Sequence, residues 1–294
     1  MPQTTANDIT LEYEIIGDLA DPALLLVCGL GGQLISWPDA FCAELADHDY
    51  AVVRYDNRDV GLSQKFGDAG LPDLAATLSS LAAGEATSSP YSLDDMADDG
   101  IALLEVLGLA PAHIVGASMG GMIVQAMAIR HPWAVRSLCS IMSTTSDPAV
   151  GQPTPEALAV ILQPPPATRA DVVEAMVSGS RLIGSPRYPM DEATVRAAAA
   201  LAYDRAYYPE GTARQVAAIL SAKDRTAALG EVAVPTLVIH GDADPLVTPS
   251  GGEATAKAVP GAELLIIEGV GHDLPEAVWP EVIAAIAANA DRAA

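Results

Sequence analysis

The sequence has few cysteines and few basic residues, and each shortage argues against a class of protein. Its three cysteines, Cys28, Cys42 and Cys139, have no C-x-x-C spacing and leave one unpaired in any disulfide set. They indicate neither a disulfide framework nor a zinc site, and they predict reduced, buried thiols. Only 15 Lys and Arg oppose 38 Asp and Glu, and the resulting net charge of −23 repels nucleic acid and anionic lipid surfaces.

Long apolar runs are also absent. The sequence contains no run of about 18 apolar residues, the length that could span a bilayer. The first residues, MPQTTANDITLEYEIIGD, lack the basic and apolar regions of a secretion signal. We therefore expect a cytoplasmic protein without a membrane or nucleic-acid partner, present as a monomer or a homodimer. The acidity predicts a well-hydrated surface and leaves adaptation to salt open.

The hydrophobic content is that of a folded protein. Half of the 294 residues are hydrophobic and 18% are charged. A chain of this length can form one large core and carry an inserted segment. Residues 9–16 alternate apolar and polar, which predicts a half-exposed antiparallel edge strand, whereas residues 24–27 form the continuous apolar run of a buried strand. A helical pattern over 38–47 and a second apolar run over 51–55 complete a strand-helix-strand unit.

This alternation is interrupted once and then resumes. From about residue 147 to 230, prolines break up Ala-rich helical pieces and no buried-strand pattern occurs. Residues 235–241 and 263–269 are again predicted strands, each followed by a helical pattern. We predict an α/β fold with a mostly parallel, doubly wound sheet of about eight strands, formed by residues 1–146 and 231–294, and a mainly helical cap formed by residues 147–230.

The sharpest chemical signal is the G-x-S-x-G pattern at residues 116–120, between an apolar strand pattern and an apolar helix pattern. A strand that turns into a helix within so few residues crowds its neighbours, so a Cβ at Gly116 or Gly120 would clash. Such a turn presents Ser118 above the carboxyl ends of the strands as a nucleophile. The alternative is a tight turn in which the serine is merely small and polar.

A serine nucleophile needs a base and a group that orients that base. Of the five histidines, His272 is the one that follows a predicted strand at the carboxyl edge of the sheet, where catalytic groups gather. Between Ser118 and His272, Asp242 and Asp244 follow another predicted strand. We assign the acid to Asp244, which projects from its loop, and interpret Asp242 as a turn former.

Acyl transfer also needs donors for an oxyanion, and the loss of one donor costs on the order of 3 to 4 kcal/mol. The backbone N–H of Met119, at the start of the helix that follows the turn at Ser118, is one candidate. The N–H of Leu30, in the Gly-rich loop at residues 28–32, is the other. That loop lacks the third glycine of a dinucleotide-binding turn and the lysine of a P-loop, so nucleotide binding is not expected.

The chain resembles the α/β-hydrolase superfamily over nearly its whole length. More narrowly, it resembles the small bacterial esterases typified by aclacinomycin methylesterase, through the segments LLLVCGLGGQLISWPDAF, VVRYDNRDVGLS, HIVGASMGG, PTLVIHGDADPL and GHDLP. The resemblance implies an α/β-hydrolase fold, a triad at Ser118, Asp244 and His272, and no metal or organic cofactor.

Two positions depart from the family's pattern. Many superfamily members have His-Gly where this chain has Cys28-Gly29, and that imidazole braces the oxyanion loop, so the bracing must differ here. A common D-x-R-G-x-G-x-S pattern occurs at residues 56–63 with Asp59 in place of its first glycine. We interpret this stretch as structural.

The expected reaction is hydrolysis of a small to medium, largely apolar carboxylic ester, such as a methyl ester of an aromatic metabolite. Related branches share the triad, so carbon-carbon bond hydrolysis and the peracid-forming activity of cofactor-free haloperoxidases stay open. A non-enzymatic ligand receptor on this fold is a further alternative. Seven side chains are predicted to line the substrate pocket: Leu30, Trp37, Met119, Met142, Tyr203, Tyr207 and Tyr208. The alternative is that they only pack the sheet and its helices against the cap.

Overall fold

The computed structural model describes residues 2–293, whose strands form one sheet. The strands are β1 (Gln3–Ala6), β2 (Ile9–Ile16), β3 (Ala23–Val27), β4 (Ala51–Tyr55), β5 (Ala112–Ala117), β6 (Val135–Ile141), β7 (Thr236–Gly241) and β8 (Glu263–Ile267). The helices are α1 (Asp39–Ala46), α2 (Leu74–Ala82), α3 (Leu93–Val106), α4 (Met119–Arg130), α5 (Pro155–Ile161), α6 (Arg169–Ile183), α7 (Glu192–Arg205), α8 (Pro209–Leu220), α9 (Thr226–Leu229), α10 (Ser250–Ala258) and α11 (Trp279–Asp291). Among residues 2–293, none of the helices combines the length and the apolarity that a bilayer crossing requires.

The sheet is mixed at one end and parallel elsewhere. Its strand order is β1-β2-β4-β3-β5-β6-β7-β8. Strand β2 is antiparallel to both β1 and β4, and every other neighbouring pair is parallel. The predicted α/β-hydrolase fold, with a mostly parallel sheet, is therefore confirmed.

One prediction about the sheet edge is wrong. Residues 9–16 form β2, but β1 lies outside it and pairs with it from Gln3↔Glu12 to Ala6↔Ile9. The two strands are joined at Asn7 and Asp8, whose φ angles are 49° and 61°. Asn and Asp tolerate this left-handed conformation, so the Asn-Asp pair is the sequence signal for a hairpin that the alternation of residues 9–16 alone does not give.

Side chains alternate across the central strands and form a core on each face of the sheet. On β3, which is buried throughout, Leu25 packs in one core with Ile123 of α4. Leu24 packs in the other core with Phe41 of α1 and Ile283 of α11. We call the sheet and the helices on its two faces the body; its parallel strands carry their carboxyl ends to one edge.

The chain between β6 and β7 is helical. It contains α5 to α9 and no strand within this fully described stretch. Helix α9 packs against α4 and α10 and buries Leu229 in the core. We therefore propose that the cap extends from residue 147 to the end of α8, and that α9 belongs to the body. This proposed cap is shorter than the expected 147–230.

A buried ion pair attaches α8 to the loop that follows β4. Arg214 Nε and Nη2 lie 2.7 and 3.0 Å from the carboxylate oxygens of Asp59, and the two side chains are 1% and 0% exposed. Arg214 also donates to the carbonyl oxygen of Gly70 and to the hydroxyl of Tyr208. Because a guanidinium matches both oxygens of a carboxylate, Asp59 acts as an anchor for α8 where the common pattern has glycine.

Arg214→Met should lower the free energy of unfolding by about 3 to 5 kcal/mol, because it leaves the Asp59 carboxylate buried without a counter-charge. Adding Asp59→Gly should recover much of this loss, since residue 59 has a φ of 69° that glycine adopts without strain. Urea unfolding of both variants and the wild type checks this. A double variant no more stable than Arg214→Met would contradict the role of the pair.

Candidate active site

The turn between β5 and α4 holds Ser118 at φ 57° and ψ −120°, outside the conformations that serine ordinarily adopts. A Cβ added to Gly116 would lie 2.1 Å from the carbonyl oxygen of Gly120. A Cβ added to Gly120 would lie 2.1 Å from the carbonyl oxygen of Val27. The two glycines thus permit the close approach of β3, β5 and α4, and this approach leaves Ser118 half-buried at the end of β5.

The side chains of Ser118, His272 and Asp244 lie within hydrogen-bond distance of one another in series. His272 Nε2 is 2.9 Å from Ser118 Oγ, and His272 Nδ1 is 2.7 Å from Asp244 Oδ2. With the ring proton on Nδ1 and donated to Asp244, Nε2 is the atom that accepts from the serine hydroxyl. The side chains of His272 and Asp244 are 8% and 0% exposed, so water competes little for these bonds.

Asp244 lies in a network that favours its charged form. Burial by itself raises the pKa of this carboxyl, but hydrogen bonds from His240, His272 and the N–H of Val247 outweigh burial and lower the pKa to about 2. Its Oδ1 accepts from the N–H groups of Leu246 and Val247 at 2.8 and 3.0 Å. The carboxylate is therefore ionised at neutral pH, as an orienting group for a histidine requires.

Asp242, the alternative acid, contacts backbone instead of the imidazole. Its Oδ1 accepts from the N–H of Gly269 at 2.6 Å, and the residue is exposed. It thus ties the end of β7 to the loop that leads to His272.

Sequence reasoning missed one neighbour of the acid. Nε2 of the buried His240 lies 3.5 Å from Asp244 Oδ2 and 2.7 Å from the carbonyl oxygen of Val247. The apolar pattern of β7 predicted a strand residue and nothing more. Its position four residues before Asp244, at the end of that strand, is the signal that could have identified it.

The two N–H groups predicted to bind an oxyanion have no acceptor in the described part of the chain. Within residues 2–293, neither the N–H of Leu30 nor that of Met119 forms a hydrogen bond. Met119 directly follows Ser118 and begins α4, where an N–H lacks an acceptor in its own helix. Leu30 follows Gly29, and a Cβ added to Gly29 would lie 3.2 Å from the Cβ of Ser118. Both residues are therefore close to the serine.

Residues at the end of α6 brace the loop that carries His272. The N–H of His272 donates to the carbonyl oxygen of Ile183 at 2.7 Å, and the N–H of Gly271 donates to Ser185 Oγ at 2.9 Å. The Ser185 hydroxyl donates in turn to the carboxylate of Asp273. No local pattern in the sequence predicts these contacts, because the partners are almost ninety positions apart.

Two cavities border the Gly-rich loop at residues 28–32. The larger, of about 600 Å³, lies between that loop and helices α5 to α8, and among its lining residues are Leu30, Tyr203, Tyr207 and Tyr208. The smaller, of about 210 Å³, is lined by aromatic and other side chains that include Trp37, Phe41, Met142 and Trp279, together with Gly29 and Ala117. Since residue 29 borders one cavity and residue 30 the other, the loop lies between them.

One of the predicted pocket side chains lies elsewhere. The side chain of Met119 is fully buried in the core on the α3 and α4 face and borders neither cavity. The expectation that it lines the pocket is therefore wrong. The start of α4 faces the core because β3 and β5 pack directly against it.

Comparison with known proteins identifies the family. The family model described as alpha/beta hydrolase fold matches residues 22–276. Rhodomycin D methylesterase DauP of Streptomyces sp. (strain C5) is 31% identical, in an alignment that covers 97% of this chain and 96% of the relative. Among solved structures, an enol-lactonase from Burkholderia xenovorans LB400 is 24% identical with a TM-score of 0.69, and 99% of each chain is covered.

A second solved structure agrees in fold. The meta-cleavage product hydrolase CumD from Pseudomonas fluorescens IP01 is 18% identical with a TM-score of 0.75, covering 100% of this chain and 98% of that chain. At such identities the two structures establish the fold alone. The family match and the methylesterase relative go further: this chain belongs to the α/β hydrolase fold family and is a hydrolase of the esterase type.

Proposed function

We propose that Ser118, His272 and Asp244 form a catalytic triad that hydrolyses a carboxylic ester through an acyl-enzyme. The observation that carries the proposal is the pair of hydrogen bonds of the imidazole, 2.9 Å to Ser118 Oγ and 2.7 Å to Asp244 Oδ2. Nucleophile, base and orienting acid come from the ends of β5, β8 and β7, as in the expected Ser-Asp-His order along the chain.

In the acylation step, Ser118 Oγ attacks the ester carbonyl carbon while His272 Nε2 takes the hydroxyl proton. The N–H groups of Leu30 and Met119 donate hydrogen bonds to the carbonyl oxygen as negative charge develops on it. His272 then donates its proton to the alkoxide oxygen as the carbon-oxygen bond breaks, and the alcohol leaves. Asp244 stabilises the imidazolium that exists between these two transfers.

Deacylation repeats the sequence with water. His272 removes a proton from a water molecule as its oxygen attacks the acyl carbon, and the same two N–H groups bind the second oxyanion. The proton then returns from His272 to Ser118 Oγ as the acid is released, which restores the free enzyme.

For the substrate, we propose a methyl ester of a medium-sized, largely apolar acid, with an aromatic metabolite as the example. A cavity of about 600 Å³ suits such an acid, and the stacked rings of Tyr203 and Tyr207 offer it an aromatic wall. The smaller cavity, of about 210 Å³, would hold the alkyl group of the alcohol. The methylesterase activity in the name of the 31% identical relative supports this assignment.

Ser118→Ala should lower kcat by at least about 10⁴-fold, because the acyl-enzyme cannot form without the hydroxyl. The fold should persist, since alanine occupies the same turn. Steady-state hydrolysis of p-nitrophenyl acetate measures the loss of kcat, labelling by a fluorophosphonate measures the loss of the nucleophile, and urea unfolding checks that the fold persists. Retained ester cleavage by this variant would identify a different nucleophile, and a wild type that labels but turns over only a few equivalents would indicate a receptor.

Asp244→Asn should lower kcat by about 10³- to 10⁴-fold, because an amide can hold the imidazole in the wrong tautomer. Asp242→Asn is the matched control. Its carbonyl oxygen can still accept from the N–H of Gly269, so kcat should stay within about twofold of the wild type. Parallel kinetics on one ester compare the two, and a larger loss for Asp242→Asn would mean that the acid has been assigned to the wrong residue.

Methyl esters of bulky apolar acids should exceed methyl acetate in kcat/KM by about tenfold or more, because each methylene bound in an apolar cavity is worth about 1 to 3 kcal/mol. Benzyl esters of the same acids should be slower, since the smaller cavity limits the alcohol. Titration of the released acid measures both series. The reverse order would mean that the larger cavity binds the alcohol and the smaller one binds the acid. Faster cleavage of a vinylogous diketone would favour carbon-carbon bond hydrolysis over ester hydrolysis, and peracid formation from hydrogen peroxide would favour a haloperoxidase-like activity.

A further inference from the structure

The Gly-rich loop that carries Leu30 lacks the histidine that braces this loop in many related hydrolases. Cys28 occupies that position, and its Sγ donates to the nearby carbonyl oxygen of Gln33 at 3.2 Å. The Asn57 side chain donates to the carbonyl oxygen of Cys28 at 3.1 Å and so holds the first residue of the loop. The segment beyond Gly29 needs a different support.

That support comes from α8. Gln215 Oε1 accepts from the N–H of Gly31 at 2.9 Å, and Gln215 Nε2 donates to the carbonyl oxygen of Arg58 at 2.9 Å. One partner is a donor and the other an acceptor, so the orientation of the amide is fixed by its contacts. Gln215 is fully buried, which removes the competition of water for both bonds.

The helix that presents this amide is itself held in place. Arg214, the preceding residue, forms the buried ion pair with Asp59, which follows Arg58 in the chain. The neighbouring residues on α8 and on the loop after β4 are therefore joined twice, once by the ion pair and once by Gln215. This double attachment gives the amide a fixed position from which to hold Gly31.

The contact to Gly31 bears directly on the candidate oxyanion donor. The N–H of Gly31 belongs to the peptide plane that follows Leu30, whereas the N–H of Leu30 belongs to the plane that precedes it. Because peptide groups are planar and rotate only at the Cα atoms, fixing one plane restricts the orientation of the next. The N–H of Gly32 closes the turn by donating to the carbonyl oxygen of Gly29 at 3.1 Å, but it does not hold the Gly31 N–H itself. Because glycine has wide conformational freedom, the contact with Gln215 restricts that peptide plane further.

We propose that Gln215 is a positioning residue for the oxyanion hole, which it serves by holding the peptide plane next to the Leu30 N–H. The inference rests on the proposed function, since it needs that N–H to bind the oxyanion. Gln215 borders neither cavity, although its neighbours Ala213 and Val216 line the larger one. Its loss should therefore weaken transition-state stabilisation and leave ground-state binding of the ester unchanged.

Gln215→Met tests this, because methionine matches glutamine in length but cannot accept from Gly31 or donate to Arg58. Loss of a whole oxyanion donor lowers kcat by about 10²- to 10³-fold, so displacement of one donor should lower kcat by about 10- to 100-fold. KM should stay within about twofold. Each preparation is titrated with a fluorophosphonate, so that kcat refers to competent sites and not to the folded fraction.

Gln125→Met is the matched control. Gln125 is also a fully buried glutamine that bridges two groups, since it donates to Ser140 Oγ and accepts from Arg225 Nε, but it does not contact the Gly-rich loop. It should lose stability in urea unfolding comparably to Gln215→Met and keep kcat per site within about twofold of the wild type. Equal losses of kcat in both variants would reduce Gln215 to a structural role and overturn the proposal.

If Gln215→Met does not fold, Gln215→Asn replaces it, because asparagine keeps a buried amide but is one methylene too short to join Gly31 to Arg58. The same fall in kcat with unchanged KM is expected. A wild-type kcat per titrated site in any folded Gln215 variant would overturn the inference alone. An inactive wild type, or an active Ser118→Ala variant, would instead overturn the proposed function.

Discussion

The close approach of β3, β5 and α4 at the elbow is the constraint on which the site depends. At Gly116 and Gly120 a side chain would overlap backbone atoms by more than an ångström, so the backbones are in a contact that only glycine permits. The packing holds Ser118 at a positive φ and brings the start of α4 and the turn after β3 to the same point. The candidate nucleophile and the candidate oxyanion donors are thus positioned by the same packing, and the surrounding buried residues maintain the strained conformation of the serine.

The helical insertion covers the site and also holds two of its loops in place. Ile183 and Ser185 hold the loop of His272, and Gln215 holds the loop of Leu30, all through bonds to backbone N–H groups. Loops at the carboxyl edge of a sheet are mobile by default, since few of their own backbone groups are paired. Here the insertion supplies the missing acceptors, so its position relative to the body also fixes the geometry beside Ser118.

The sequence predicts those parts of the molecule that depend on local chemistry. The buried strands follow from continuous apolar runs, and the positions of Ser118, His272 and Asp244 follow from strand ends and chain order. Gln215 could not be predicted, because it lies 184 residues from Gly31 and an amide on a helix has no periodic signature. The side chain of Met119 was misplaced for a related reason: its backbone position follows from the motif, but the direction of its side chain depends on tertiary packing.

The two departures from the family's pattern are linked through a single helix. Asp59, in place of glycine, pairs with Arg214 and anchors α8 on the body. The next residue on that helix, Gln215, contacts the loop in which Cys28 stands where many superfamily members have histidine. A buried carboxylate is costly unless it is paired, and the bidentate guanidinium pairs it. Arg214 therefore balances the buried charge of Asp59, and the helix that this pair fixes carries Gln215, the proposed support of the oxyanion loop. The two departures, at positions 28 and 59, are thus connected through Arg214 and Gln215 of α8, and under our proposal the support of the oxyanion loop comes from the insertion.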